Sequence, residues 1–249
     1  MHDFVFDNKS LHSFGFTIKE RPEFEIPERD FELVDIAGAD GSSISDNLRY
    51  KNVERVYTIN RNPFWQTEKS NQELINSIID WLYSFDGSYK ILRDTYHKGY
   101  FCYAVCQNPT SITSATENLL ETTVTFSRKP YWYSDVGQQA INYNSGATSA
   151  TFELFNSENY FSLPYIKVTT EGAFTLTVND VEMKASSCSK YLEFDSELQN
   201  VFKGSTDKNK VISGDYFPKF KVGKNTITVS STSDNQITSI QIIPRWRRL

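Results

Sequence analysis

Histidine is scarce in this chain of 249 residues: His2, His12 and His97 are the full set. A Ser–His–acid triad therefore has one candidate base beyond the first twelve residues, and no G-x-S-x-G accompanies it. His97, in Asp94-Thr95-Tyr96-His97-Lys98, reads as a lone surface histidine in a turn. Cysteine is equally sparse, and the odd set Cys102, Cys106 and Cys188 cannot be a complete disulfide framework. Cys102 and Cys106 fall in an alternating run that reads as a strand, which would hold their Cα atoms ~13 Å apart, beyond the ~7 Å a bridge allows. The three read as small apolar thiols in a reducing compartment, and with no paired His or Cys ligands no metal site is expected. Neither G-x-G-x-x-G nor G-x-x-x-x-G-K-[ST] occurs. The nearest glycine pair, Gly38-Ala39-Asp40-Gly41, reads as a tight turn needing positive φ. No apolar run approaches the ~18 residues of a bilayer span. Met1-His2-Asp3-Phe4 has neither a basic nor an apolar leader region, so no secretory signal is expected.

Charge narrows the reading further. Asp and Glu number 31 against 26 Lys and Arg, and the net charge of −5 argues against general binding of nucleic acid. Those carboxylates offer many combinations, but none stands out as a glycosidase pair. No catalytic constellation, cofactor site or metal site rises above background, and the expectation is a protein that is not an enzyme.

Aromatic residues are abundant. Phe, Tyr and Trp number 18, 14 and 4, enough bulk to fill two cores and too much for a disordered chain. Period-two alternation dominates: Val53, Tyr57 and Ile59 share one face, as do Leu120, Val124 and Phe126. Ile166 with Val168, Phe174 with Leu176 and Val178, Ile227 with Val229, and Ile240 with Ile242 continue the series. Asn179-Asp180 between Val178 and Val181 reads as a hairpin turn. Most of the protein is expected to be antiparallel β.

One segment is helical. Ser70-Asn71-Gln72-Glu73 is a capping box, followed by Leu74, Ile78, Trp81, Leu82 and Phe85 at helical spacing and by Asp86-Gly87 as a stop. A helix from about Asn71 to about Phe85 follows. From Asp135 to Ser149 the chain is mostly Gln, Asn, Ser, Gly, Ala and Thr, which reads as a linker. It divides the sequence into domains at 1–135 and 136–249.

The order of landmarks resembles that of the distal tail protein family of siphophages. Phe14-Gly15-Phe16-Thr17-Ile18 is similar to the family's opening strand, and Ile36-Ala37-Gly38-Ala39-Asp40-Gly41-Ser42 to its loop, with Ala39 where a basic or polar residue is frequent. Ile78-Ile79-Asp80-Trp81-Leu82 and Phe126-Ser127-Arg128-Lys129-Pro130-Tyr131-Trp132-Tyr133 follow at family spacing. Leu163 to Val168, Phe194-Asp195-Ser196-Glu197, and Gly214 to Ile227 continue the match, and Pro244-Arg245-Trp246-Arg247-Arg248-Leu249 closes it. The resemblance implies a mainly β fold: an N-terminal β-sandwich with one α-helix, then a C-terminal galectin-like, jelly-roll β-sandwich. It also implies a structural virion protein at the distal end of a phage tail, made in the host cytoplasm. The N-terminal domains would form a homo-hexameric ring joining the tail tube protein to the tail-associated baseplate protein, with receptor-binding machinery attached in some phages. DNA would pass through without stable binding, which suits an acidic subunit.

Trp132 and Tyr133 at the domain junction are candidate interface anchors, or else caps of the first core. Arg245, Arg247 and Arg248 beside Trp246 read as a solvated strand end, or as a basic tip that pairs with the N-terminal domain or a neighbouring subunit. The alternative function is a lectin-like module that binds host cell-wall carbohydrate. Against it, no Trp occurs between Val136 and Pro244 to serve as a sugar platform.

Overall fold

The computed structural model describes residues 2–62, 64–65, 68–84, 86–109, 113–116, 119–214, 216–232 and 235–249. Met1, Phe85, Asp215 and the side chain of Leu120, all used above, lie outside the described residues. Contacts divide the chain into two compact units, one ending at Trp132 (with Leu249) and one spanning Tyr133–Arg248. Among the described residues no helix is long and apolar enough to cross a membrane.

The first unit contains β1 (Phe4–Phe6), β2 (Lys9–Ser10), β3 (Phe16–Ile18), β4 (Arg29–Asp35), β5 (Ser42–Tyr50) and β6 (Val53–Arg61). Helix α1 (Asn71–Leu82) follows, then β7 (Lys90–Asp94), β8 (Tyr100–Pro109), β9 (Thr113–Thr116) and β10 (Leu119–Arg128). The main sheet runs β2-β1-β7-β8-β10-β6-β3, with β9 added on β10. In a flat sheet β1 and β6 would stand ~19 Å apart, four strand spacings. Yet the rings of Phe4 on β1 and Tyr57 on β6 have centroids 4.9 Å apart, and Phe4 meets Phe126 of β10 edge-on at 5.4 Å. The Ile18 amide donates to the His2 carbonyl at 3.0 Å, so the two ends of the sheet meet. The sheet folds over itself around a core of aromatic side chains.

Helix α1 covers that core. Its capping box forms as the sequence predicts: the Ser70 amide donates to Glu73 Oε2 at 2.8 Å, and the Glu73 amide donates to Ser70 Oγ at 3.4 Å. Leu74, Ile78, Trp81 and Leu82 are buried. The Trp81 ring stacks on Phe14 at 4.5 Å while its Nε1 donates to the Phe6 carbonyl at 3.0 Å. The helix ends at Leu82, earlier than the glycine stop suggests, because the Ser84 hydroxyl takes the Trp81 carbonyl at 3.0 Å and closes the last turn.

Next in chain order is β11 (Trp132–Ser134), whose residues straddle the division at Trp132/Tyr133. The second unit begins with β12 (Ile141–Asn144), β13 (Ser149–Asn156), β14 (Tyr165–Thr169), β15 (Phe174–Val178), β16 (Val181–Ala185) and β17 (Tyr191–Asp195). It continues with β18 (Asn200–Lys203), β19 (Thr206–Asp207), β20 (Ile212–Ser213), β21 (Gly223–Ser231), β22 (Ser239–Ile243) and β23 (Arg247–Arg248). Two antiparallel sheets, β12-β22-β14-β17-β18-β19 and β13-β21-β15-β16-β20, form a sandwich. Ile166, Val168, Phe194, Ile240 and Ile242 from one sheet bury against Phe174, Leu176, Val178, Ile227 and Val229 from the other. Asn179 turns β15 into β16 with φ of 52°, the left-handed conformation that Asn tolerates.

The stretch expected to be a linker is instead part of this sandwich. Val136–Gln138 forms a short 3₁₀ turn, and β12 pairs with β22 through Ile141↔Ile242 and Tyr143↔Ile240. Tyr143 then stacks on Phe152 at 3.9 Å. Polar composition misled here because an edge strand needs only two inward side chains, Ile141 and Tyr143, to be held.

The described core makes one contrast measurable. Phe126, fully buried among Phe4, Phe6 and Tyr57, should cost about 3–5 kcal/mol when changed to Ala. Phe155→Ala, at a side chain 70% exposed, should cost less than about 0.5 kcal/mol. Urea denaturation of the two variants checks the difference.

Candidate interaction surface

Among the described residues, strands β4 and β5 pair only with each other. A lone two-stranded hairpin is marginal in water unless something covers it. This one is apolar where it is open. Leu33 and Ile44 sit directly opposite each other and are 64% and 70% exposed. Its tip is the glycine turn read from the sequence, with Gly38 and Gly41 at φ of 83° and 79°. At its base Arg29 pairs with Asp46, Arg49 Nε lies 2.6 Å from Asp30, and Lys51 lies 3.1 Å from Glu28. Arg49 and Arg29 hold the carboxyls of Asp30 and Asp46 below the usual carboxylate range. Exposed pairs of this kind fix register and add little stability. Leu48 adopts φ of 55° beside the register shift at Asp30/Phe31, its amide donating to Asp46 Oδ1 at 2.8 Å. A left-handed leucine costs roughly 1–2 kcal/mol, so the bulge stores strain.

The segment leading into β4 is inside-out. Phe24 and Ile26 are 82% and 79% exposed, whereas the Glu25 side chain between them is only 17% exposed. Glu25 points at two arginines, with Oε1 3.6 Å from Arg55 Nη1 and Oε2 3.6 Å from Arg128 Nε. Neither Glu25 Oε2 nor Arg128 Nε makes a hydrogen bond among the described residues. Burial pushes the Glu25 carboxyl up, against the pull of Arg55 and Arg128. Arg55 Nη1 also donates to the Glu23 carbonyl at 2.8 Å, which ties the backbone of this strap to β6. Eight of the eighteen large apolar side chains exposed among the described residues fall between Phe24 and Leu48. Such concentration makes this the candidate interaction surface of the first unit.

Beneath the strap is a closed polar cluster. Arg55 Nη2 donates to Asp94 Oδ2 at 2.9 Å, and the Tyr57 hydroxyl donates to the same oxygen at 2.8 Å. The other oxygen accepts from the amides of Tyr96 and His97 and lies 2.8 Å from His97 Nδ1. His97 also stacks on Trp132 at 4.0 Å, and the Arg128 guanidinium lies 5.2 Å from the same ring. His97 is therefore not a lone surface histidine: the turn after β7 folds back so that Asp94 caps it. Burial alone would raise the Asp94 carboxyl, but the hydrogen bonds and charges of His97, Arg55 and Tyr57 outweigh it and hold the group at about 2.

The residues singled out as interface candidates have the following places within the units. Trp132 is buried in the first core. Tyr133 is buried, and Trp246 packs on Phe220 at 5.4 Å in the second core. Arg245 grips Asp195 with two hydrogen bonds of 2.7 and 2.8 Å and lies 3.4 Å from Glu197. Arg247 Nε donates to the Phe161 carbonyl at 2.8 Å. Arg245 and Arg247 thus each have partners within the second unit. Sequence reading missed the strap and hairpin, although the alternation Phe24-Glu25-Ile26 carries the signal. Among the described residues no group of His, Cys, Asp and Glu is arranged to hold a metal ion.

Among the described residues, a folded-over β-sheet with one α-helix and an exposed apolar hairpin, followed by a β-sandwich, defines a two-unit, mainly β protein. No family model matches the sequence, and no curated protein does either. Among solved structures, the crystal structure of the SPP1 Dit (gp 19.1) protein is similar over 97% of this chain and 97% of that one, with a TM-score of 0.70 and 13% identity. That protein is described as a paradigm of the hub adsorption apparatus in Gram-positive infecting phages. The likeness shows a shared fold along nearly the whole chain, as the resemblance to distal tail proteins implied.

The Asp94 cluster has a pH signature. A carboxyl held near 2 stabilises the fold above its unfolded value of about 3.9, and the contribution disappears as pH falls through the folded value. Thermal unfolding of the wild type should therefore lose on the order of 2 kcal/mol between about pH 4 and 2, and Asp94→Asn should remove most of that slope.

Proposed function

We propose that this chain is the distal tail hub of a siphophage: a structural virion protein whose N-terminal domain, residues 1–135 as read from the sequence, assembles as a hexameric ring, with residues 136–249 as a galectin-like domain carried by it. The ring joins the tail tube protein to the tail-associated baseplate protein and the host-adsorption apparatus, including any receptor-binding protein. The observation that carries this reading is the match in fold to a phage hub protein over 97% of both chains.

The arm supports the reading independently. Phe24, Ile26, Leu33 and Ile44 are exposed in the single chain, and burying each against a neighbouring copy would contribute roughly 1.5–3 kcal/mol before the costs of association. A ring uses the same surface six times, so a modest contact is multiplied by closure. Trp132, Tyr133, Arg245, Trp246 and Arg247 serve the assembly from within, by fixing the shape of the units that meet. The net charge of −5 suits a passage that lets DNA through without holding it. On this reading the protein performs no catalysis and needs no cofactor.

Electron microscopy and light scattering test it together. The wild type should give six-fold rings with a central hole, and the double change Leu33→Asp with Ile44→Asp should give folded monomers. A wild type that stays monomeric at micromolar concentration, or a double variant that still forms rings, contradicts the proposal.

A further inference from the structure

Strand β6 has an open edge. On one side it pairs with β10 from Val53 to Asn60. On the other side β3 covers only Ile59 to Arg61, and the Lys19 amide adds one further bond, to the Thr58 carbonyl at 2.9 Å. Backbone groups of a strand alternate between its two sides, so the N–H and C=O of Val56 and Glu54 point the same way as those of Thr58. No strand among the described residues pairs with them there. After Lys19 the strap leaves the plane of the sheet, because Arg55, an inward residue of β6, holds the Glu23 carbonyl at 2.8 Å. It returns where the Lys51 amide donates to the Glu28 carbonyl at 2.9 Å. Between strap and edge lies a groove of about 580 Å³, lined by Glu20, Pro22 and Glu23 from the strap and by Glu54, Val56 and Thr58 from β6.

An open edge needs protection, and a charged side chain such as Glu54 or a loop laid along it supplies that. Two features exceed protection. The strap stands off from the edge instead of lying on it, and the stretch from Glu54 to Thr58 is ~14 Å long, the reach of about five extended residues. The groove also carries carboxylates that nothing answers: Glu20, Glu23 and Glu54 form no ion pair among the described residues. The nearby cations are engaged elsewhere. Lys19 holds Glu121 at 2.8 Å, Arg55 and Arg128 face Glu25, and the Arg21 guanidinium lies 5.8 Å from the Tyr96 ring.

An edge with room beside it takes a strand, and the charges select which one. The arm of a second copy is unsuited: β4 would bring Asp30, Glu32 and Asp35, and the cations of the hairpin, Arg29 and Arg49, already pair with Asp46 and Asp30. Nucleic acid is repelled by the same carboxylates. We propose that this groove accepts an extended segment of another protein, rich in lysine or arginine, which adds to β6 as a further strand. Its main chain bonds to the free N–H and C=O groups of Glu54 and Val56, which gives affinity, and its alternate side chains give specificity. Residues on its outer face lie beside Glu54, Val56 and Thr58, so a cation suits the place opposite Glu54 and a β-branched residue the place opposite Val56, which is 40% exposed. Its other face turns to the strap, where cations meet Glu20 and Glu23.

The proposal goes beyond the hub reading and does not rest on it: light scattering reads assembly, whereas amide exchange reads strand addition. The probe is acetyl-Lys-Thr-Lys-Val-Lys-Thr-Lys-amide, a palindrome that presents the same side chains in either strand direction. Added to the full chain up to about 10 mM, ten times a millimolar Kd, it should bind saturably. Exchange of the Glu54 and Val56 amides should then slow at least about tenfold. Two forms of the peptide, methylated on alternate nitrogens in the odd or the even positions, separate strand addition from charge attraction. One form should fail to bind and the other should bind within about twofold of the parent, because only alternate N–H groups face the edge. Glu23→Lys with Glu54→Lys, both at exposed positions, should weaken binding at least about tenfold with near-ultraviolet dichroism unchanged. Absence of saturable binding, equal binding of a peptide with Glu in place of Lys, or equal binding of the two methylated forms would each overturn the proposal. So would protection of Glu54 and Val56 that grows with the concentration of this chain alone, which would assign the edge to a second copy.

Discussion

Arg55 sets the terms for the first unit. It occupies an inward position of β6, between Val53 and Tyr57, where a hydrophobic residue would be ordinary, and its side chain is 4% exposed. A buried guanidinium must be surrounded by acceptors, and this one gathers Asp94, the Tyr57 ring and hydroxyl, the Glu23 carbonyl and Glu25. Such a cluster adds little net stability compared with a well-packed apolar replacement, but removing one partner from it is costly. Its effect here is positional. Because Glu25 has to face inward, Phe24 and Ile26 have to face outward, and β4 starts from a point fixed on the surface of the unit.

The consequence is an arm with a rigid root and an unsatisfied surface. The root is charged and closed. The hairpin beyond it joins no other sheet among the described residues, and it has a strained bulge at Leu48 and apolar side chains open to water. A lone chain gains nothing from that arrangement. On the proposed function a neighbouring copy covers the arm, which links the electrostatics of one buried arginine to assembly.

Much of this fold was legible in the sequence because strands and helices announce their periods. Val53, Tyr57 and Ile59, and Ile240 with Ile242, are buried as their alternation requires, and Ser70 with Glu73 form their capping box. The failures share a cause. Residues 135–149 looked like a linker because composition does not reveal that Tyr143 has Phe152 to stack on. His97 looked isolated because its partners, Asp94 and Trp132, depend on a turn and on a strand thirty-odd residues away. The arm was missed because a buried glutamate flanked by exposed Phe and Ile inverts the rule that alternation is read by. Thirteen per cent identity to a protein of the same fold makes the same point: pattern and packing persist where residues do not.

On the proposed function, residues 24–48 are covered by a neighbouring copy. Hydrogen–deuterium exchange of the free chain and of the assembled form measures that coverage directly. The amides of β4, β5 and the strap around Glu25 should exchange quickly in the free chain and become strongly protected on assembly. Equal exchange across those residues in the two states would contradict it.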